Sequence, residues 1–208
     1  MNIAVLVSGS GTNLQALIDY ETKNPSAPYH IALVISNTKN AFALERAKKS
    51  GIKTEICSPF SVLGKGLAQN STREQKMQAV SDAILSLCKT YNIEGIVLAG
   101  YLSVLTGAIL EEYKNKIINL HPALLPKFGG VGMWGENVHK AVLASDEKES
   151  GCTIHLVDSG CDTGKILVQK KVPVLAGDTP ESLYARIAPL EHEAIVEGTC
   201  LLATGKTA

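Results

Sequence analysis

Asn2-Ile3-Ala4-Val5-Leu6-Val7, followed at once by Ser8-Gly9-Ser10-Gly11-Thr12-Asn13, decides the fold class of this chain. A continuous apolar run without alternation suits a strand buried on both faces, as in a parallel sheet covered by helices. The Gly/Ser turn leads into a helix expected over Asn13–Tyr20, with Leu14, Leu17 and Ile18 on one face. Glycines let the backbone bend tightly, and free N–H groups at a helix start favour an anion. The turn is not a Walker loop, which needs a following Lys-Ser/Thr, and Leu14 stands where a full GxGxxG has its last glycine. A dinucleotide-binding fold also wants an acid at the end of its second strand, where Ser36-Asn37 stands here. A phosphate loop and a plain tight turn both fit these residues.

The pattern repeats outward from this start. Strands are expected at His30–Ser36, Lys53–Cys57, Gly95–Leu98 and Ile117–Leu120, and helices at Ala41–Ser50, Thr72–Tyr91 and around Leu105–Tyr113. The Thr72–Tyr91 helix is the clearest, because Met77, Val80, Ile84, Leu87, Cys88 and Tyr91 recur at helical spacing. Pro59–Asn70 reads as a loop, and so does Pro122–Asn137, with Gly129, Gly130, Gly132 and Gly135. Beyond it come a helix near Val138–Ala144, β-like runs at Cys152–Val157 and Ile166–Val174, and a helix over Thr179–Leu202 that Pro189 should kink. Strands alternating with helices imply an α/β fold, a doubly wound and mostly parallel sheet with helices on both faces. In such folds, long Gly-rich loops at the carboxyl ends of the strands carry the sites.

The 208 residues fit one domain spanning 1–208. Twenty basic and twenty acidic residues cancel, so no global field recruits nucleic acid or an anionic membrane, and a charged ligand must be caught locally. Cys57, Cys88, Cys152, Cys161 and Cys200 form an odd set without CxxC, which argues against a structural metal and a disulfide framework. The first residues lack a basic leader, and the apolar run is too short to cross a membrane, so the expected location is cytoplasmic.

A polar cluster follows the fifth strand. Asn119 and His121, two apart in a strand, point to the same side and can converge on one ligand. An amide donor beside an imidazolium suits stabilisation of an oxyanion developing on a carbonyl, although a capping Asn and a satisfied His fit as well. Asp162 sits in the Gly-flanked turn Ser159-Gly160-Cys161-Asp162-Thr163-Gly164, where Asp is a common turn former. Folded over His121, it would raise the imidazole pKa and keep the ring protonated near neutral pH. His155 alternates with Ile154 and Leu156 and reads as structural.

SGSGTNLQALID, LAGYLSVL, INLHPALLPKF, the Asp162-Thr163-Gly164 turn, KVPVLAGDTPESL and Leu190-Glu191-His192 together resemble the folate-dependent formyltransferase family, with the SGSGTN loop marking its glycinamide branch. The resemblance runs from residue 1 to about residue 200. It implies the formyltransferase variant of the doubly wound fold, and transfer of the formyl group of 10-formyltetrahydrofolate to the amine of phosphoribosylglycinamide in purine biosynthesis. On this likeness, residues 1–100 form the phosphate- and acceptor-binding half, and 101–208 the folate-binding and catalytic half. Asn119, His121 and Asp162 match the family's catalytic trio. Gly11, Thr12 and Asn13 would hold the acceptor's phosphate and Glu191 its ribose hydroxyls. Arg73, Leu102, Ser103, Val104, Leu105, Asn119, Asp158, Ser159, Gly160, Cys161 and Asp162 would line the folate pocket. No metal is implied, and a monomer or homodimer fits.

Some residues depart from the family pattern. Ser103 stands where many members carry Arg, the Phe128–Gly135 loop is long, and no Tyr-Pro follows the Glu191-His192 pair. Trp134 fits either a cover over the folate or an anchor for its loop. Three other readings remain. Transfer-RNA formyltransferases carry an added carboxyl-terminal domain and basic surface, and formyltetrahydrofolate hydrolases usually begin with a regulatory domain. A non-catalytic relative would not need the trio.

Overall fold

The computed structural model describes residues 1–207. Its elements in chain order are β1 (Asn2–Val7), α1 (Thr12–Lys23), β2 (His30–Ser36), α2 (Phe42–Lys49), β3 (Lys53–Ile56), α3 (Pro59–Asn70) and α4 (Arg73–Thr90), continuing with β4 (Gly95–Leu98), α5 (Ala108–Glu112), β5 (Ile117–His121), α6 (Glu136–Leu143), β6 (Glu149–Leu156), β7 (Ile166–Pro173) and α7 (Pro180–Ala203). The strands form one sheet in the order β3-β2-β1-β4-β5-β6-β7. The first five in that order are parallel, and β6 and β7 are each antiparallel to the preceding strand. The doubly wound, mostly parallel sheet expected from the apolar runs is therefore the one observed.

Strand alternation divides the core in two. Ile3, Val5 and Val7 of β1 join a cluster with Leu14, Leu17, Ala43, Ile187 and Ile195, from α1, α2 and α7. Ala4 and Leu6 face the other way, into a cluster with Val80, Ile84, Cys88 and Ile109 of α4 and α5. Burying each such large aliphatic side chain contributes about 1.5–3 kcal/mol relative to exposure. That explains why β1 reads as apolar throughout: both of its faces are covered.

Helix boundaries follow local chemistry. Thr72 and Gln75 form a reciprocal capping box at the start of α4, and Thr179 and Ser182 do the same for α7. Pro59–Asn70, expected as a loop, is helical: Ser58 and Ser61 cap it and Pro59 occupies its first turn. Gly64 and Gly66 hid this helix, and Gly64, with φ 74° and ψ 163°, does break it into two pieces. The helix expected around Leu105–Tyr113 shortens to α5 because Gly107 enters it with φ 73°. The 122–137 loop ends slightly early, since α6 begins at Glu136. Pro189 lies inside α7, which continues through it as one helix of 24 residues. Gly198 lets that helix lie close on the sheet, where an added Cβ would come 2.6 Å from Ile154 Cγ2.

Strand order reverses at β1, between β2 and β4, so the loops leaving β1 and β4 diverge and open a crevice at the carboxyl edge. The Leu102 N–H donates to Ser8 Oγ at 2.8 Å and ties these two loops together.

Candidate active site

One side of the crevice is the start of α1. Gly11 caps the helix in the left-handed region, φ 73°, and no side chain closes the helix end. An added Cβ at Gly11 would sit 2.5 Å from Ala43 Cβ, so glycine is required by space as well as by conformation. The first turn of α1 contains no acid, which leaves the positive end of the helix dipole free for an anion. Asn13, nearly buried, donates from Nδ2 to Glu191 Oε2 at 3.2 Å, while its Oδ1 is buried without a partner. Glu191 lies on the buried face of α7, where burial pushes its carboxyl above the ordinary range and the Asn13 bond opposes this. An amide oxygen and a carboxyl held beside a helix N-terminus suit a ligand with hydroxyl donors next to an anionic group.

The other side gathers at the ends of β5 and β6. Asn119, His121 and Asp162 meet there, with His121 Nδ1 3.5 Å from Asp162 Oδ2. His121 Nε2 lies 2.8 Å from the Phe128 carbonyl, which can only accept, so this nitrogen carries a proton. Asp162 adopts φ 58° and receives the Gly130 N–H at 3.0 Å. Gly129 makes that approach possible, because a Cβ there would lie 2.6 Å from Leu125 Cδ2 and 3.2 Å from Asp162 Cβ. The Gly-rich loop thus brings backbone donors onto the carboxylate.

His155, read as structural in the sequence, lies in the same cluster. Its Nδ1 donates to the Leu156 carbonyl at 2.8 Å, which makes Nε2 the acceptor in the neutral ring. Asn119 Nδ2 donates to that Nε2 at 3.1 Å, which fixes which way the amide faces, and Asp162 Oδ1 lies 3.5 Å from the same nitrogen. Asp162 is therefore bracketed by two imidazoles. Burial acts to raise its pKa, but the bond a protonated His155 would donate, the Gly130 N–H and the attraction of either ring in its imidazolium form outweigh it and hold the carboxyl below its ordinary value.

His121 corrects the expectation made for it. Burial lowers the pKa of its ring, and this outweighs the opposing pull of the Asp162 carboxylate, so the net direction is downward. The acidic neighbour therefore does not lift the ring above its ordinary value. Burial, invisible in the sequence, is the largest cause, and the neighbouring His155 acts in the same direction.

The residues expected for a folate pocket divide. Leu102 and Val104 are more than half exposed on the loop after β4, an apolar surface beside the polar cluster. Ser103 accepts from Asn37 Nδ2 at 2.8 Å, while Leu105 is buried in the α4–α5 core and offers no open face. Asp158 Oδ1 accepts from Gly160 N and Thr163 Oγ1 and so shapes the turn that carries Ser159, Gly160 and Cys161, all exposed. Arg73 stands exposed in the first turn of α4 and has no ion pair or side-chain hydrogen bond among the described residues. Trp134 is 56% exposed on its loop. A cavity of about 770 Å³ lies elsewhere, in a groove between α1 and α7 lined by Tyr20, His192 and Cys200. No group of His, Cys, Asp and Glu among the described residues is arranged to hold a metal ion, and no helix there is long and apolar enough to cross a membrane.

A switch-point crevice with an open helix start on one side and an Asn–His–Asp cluster on the other defines a class, and residues 1–199 match the formyl transferase family. The chain belongs to that family. Within it, the chain is 42% identical over 205 residues to the trifunctional purine biosynthetic protein adenosine-3 of Drosophila pseudoobscura pseudoobscura, covering 98% of this chain and 14% of the relative. It is 36% identical to the chloroplastic phosphoribosylglycinamide formyltransferase of Arabidopsis thaliana, over 94% of this chain and 63% of that protein. The chain thus spans about a seventh of the trifunctional relative. The crystal structure of glycinamide ribonucleotide transformylase 1 from Symbiobacterium toebii is similar at a TM-score of 0.85 and 36% identity, covering 99% of this chain and 88% of that one.

Proposed function

We propose that the protein transfers the formyl group of 10-formyltetrahydrofolate to the amine of phosphoribosylglycinamide, a step of purine biosynthesis, in the cytoplasm. The observation that carries this reading is the convergence of Asn119, His121 and Asp162 at the strand ends, across the crevice from the Gly11–Asn13 helix start. The names of the relatives point the same way.

In this reading the phosphate rests on the N–H groups of Gly11, Thr12 and Asn13, and the ribose hydroxyls donate to Glu191 and to the unpartnered Asn13 Oδ1. The folate ring lies along Leu102 and Val104 and the 158–162 turn, with Arg73 toward its acidic tail. The halves 1–100 and 101–208 then hold chiefly acceptor and folate, with Glu191 crossing over to the acceptor. The amine nitrogen attacks the formyl carbon, giving a tetrahedral oxyanion. The second hydrogen of Asn119 Nδ2 and the Nε2–H of His121, turned from the Phe128 carbonyl, stabilise it. The amine gives up a proton to the Asp162–His121 pair. His121 passes one to the folate nitrogen as its bond to the formyl carbon breaks. No covalent enzyme intermediate is needed.

The test is folate deformylation followed spectrophotometrically with and without phosphoribosylglycinamide. Acceptor-dependent turnover is expected. Turnover that ignores the acceptor would make the protein a hydrolase, and folded protein without turnover would overturn the reading.

A further inference from the structure

We propose that Arg46 is a positioning residue of the Ser8–Asn13 loop and supplies much of that loop's preference for a phosphorylated acceptor. The inference deepens the formyl-transfer reading and rests on it.

The argument begins with how α2 holds the loop. Three consecutive loop residues are fixed from that helix. The Gly9 carbonyl accepts from Ala43 N at 3.1 Å, the Ser10 carbonyl accepts from Arg46 Nε at 2.9 Å, and Gly11 packs on Ala43 with no space for a Cβ. Ala43 and Arg46, three residues apart, share one helix face. The middle contact has a directional consequence. The Ser10 C=O and the Gly11 N–H belong to one planar trans peptide and point in opposite directions. Pinning the carbonyl toward Arg46 therefore aims the Gly11 N–H away from it, into the open start of α1.

The guanidinium is itself held. Its Nη1 donates to Gln15 Oε1 at 3.1 Å, and its carbon lies 5.0 Å from the centre of the Phe42 ring, a cation–π arrangement. These contacts use two of the five N–H donors of an Arg side chain. Among the described residues, Arg46 is the one cation hydrogen-bonded to this loop. That position matters because formal charges cancel over the whole chain and the first turn of α1 has no acid. An independent sign of a ligand at the same helix start is the buried, unpartnered Oδ1 of Asn13.

The experiment compares wild type, Arg46→Ala and Arg46→Lys. Each is assayed with phosphoribosylglycinamide and with its dephosphorylated nucleoside, and inorganic phosphate serves as a competitive probe. Losing a charge-assisted contact is expected to raise the KM for the phosphorylated acceptor and the Ki of phosphate about tenfold or more in Arg46→Ala. Its kcat, and its kcat/KM for the nucleoside, change far less. Arg46→Lys recovers part of the loss, because it keeps the charge but not the planar fork. An unchanged phosphate Ki in folded Arg46→Ala, or equal losses on both acceptors, would overturn the role. Wild-type protein that binds phosphate but fails to transfer formyl would overturn the parent reading instead. Calorimetric phosphate binding to the same three proteins then still decides the role of Arg46.

Discussion

The loop at the start of α1 draws Gly11, Thr12 and Asn13 from consecutive positions, whereas the cluster opposite draws Asn119, His121, Phe128, Gly130, His155 and Asp162 from β5, the loop after it, β6 and the turn before β7. In the proposed function the loop acts through backbone N–H groups and depends on conformation and space, both of which leave a glycine signature. The cluster acts through side chains whose protonation depends on burial and on one another. One region is written in a short stretch of sequence, and the other exists only once the sheet has assembled.

That contrast can be tested from its most sensitive point. Asp162→Asn keeps the size of the side chain and its acceptance of the Gly130 N–H, but removes the charge between the two imidazoles. A kcat loss of about 10²–10⁴ is expected, with folding retained, in steady-state assays and circular dichroism. A loss under threefold would show that the cluster does not work as a unit.

His155→Ala should cost less, about 10–100-fold in kcat, because it frees the Asn119 amide to turn without removing it. A change confined to KM would count against that positioning role. On the loop side, Gly11→Ala should act on conformation first. Positive φ and the close approach to Ala43 together predict a stability loss of about 2 kcal/mol or more by urea denaturation. An unaltered midpoint would mean that the loop yields easily.

Glu191→Gln is expected to separate binding from stability. The folded pKa of Glu191 is raised, so its contribution is full below the unfolded pKa and is lost as pH rises through the folded one. Gln escapes that loss and should raise Tm near neutral pH by about 3 °C, with a smaller gain in acid, while weakening acceptor binding. A lower Tm at neutral pH would contradict the burial argument.

The smallest effect is a titration. The His121 imidazole should titrate by NMR below its ordinary 6.5, and Asp162→Asn should move it further down, because the carboxylate is what pulls it up. An upward movement would reverse the assignment of causes.

Legibility in the sequence follows the same divide. The parallel sheet was readable because β1, β2, β4 and β5 are apolar on both faces. The Gly9–Asn13 turn and the placing of Asn119 and His121 on one side of β5 were readable because glycine spacing and strand alternation are local. α3 was not, since Gly64 and Gly66 outweigh a cap made by Ser58. His155 was concealed by its apolar neighbours in β6, and its part in the cluster comes from strand pairing with Asn119. The Phe128 carbonyl and Gly130 N–H carry no side-chain signal, and the protonation of His121 depends on desolvation that no spacing reveals.

The bond between Asn13 and Glu191 joins residues 178 positions apart. At about 5–20 residues per second, a ribosome adds that length in on the order of ten seconds or more. Throughout that interval the emerging chain already has its Gly11–Asn13 turn but not the Glu191 carboxyl that meets it. The pocket proposed for the acceptor therefore needs both segments, and any nascent or truncated chain lacking α7 has only half of it.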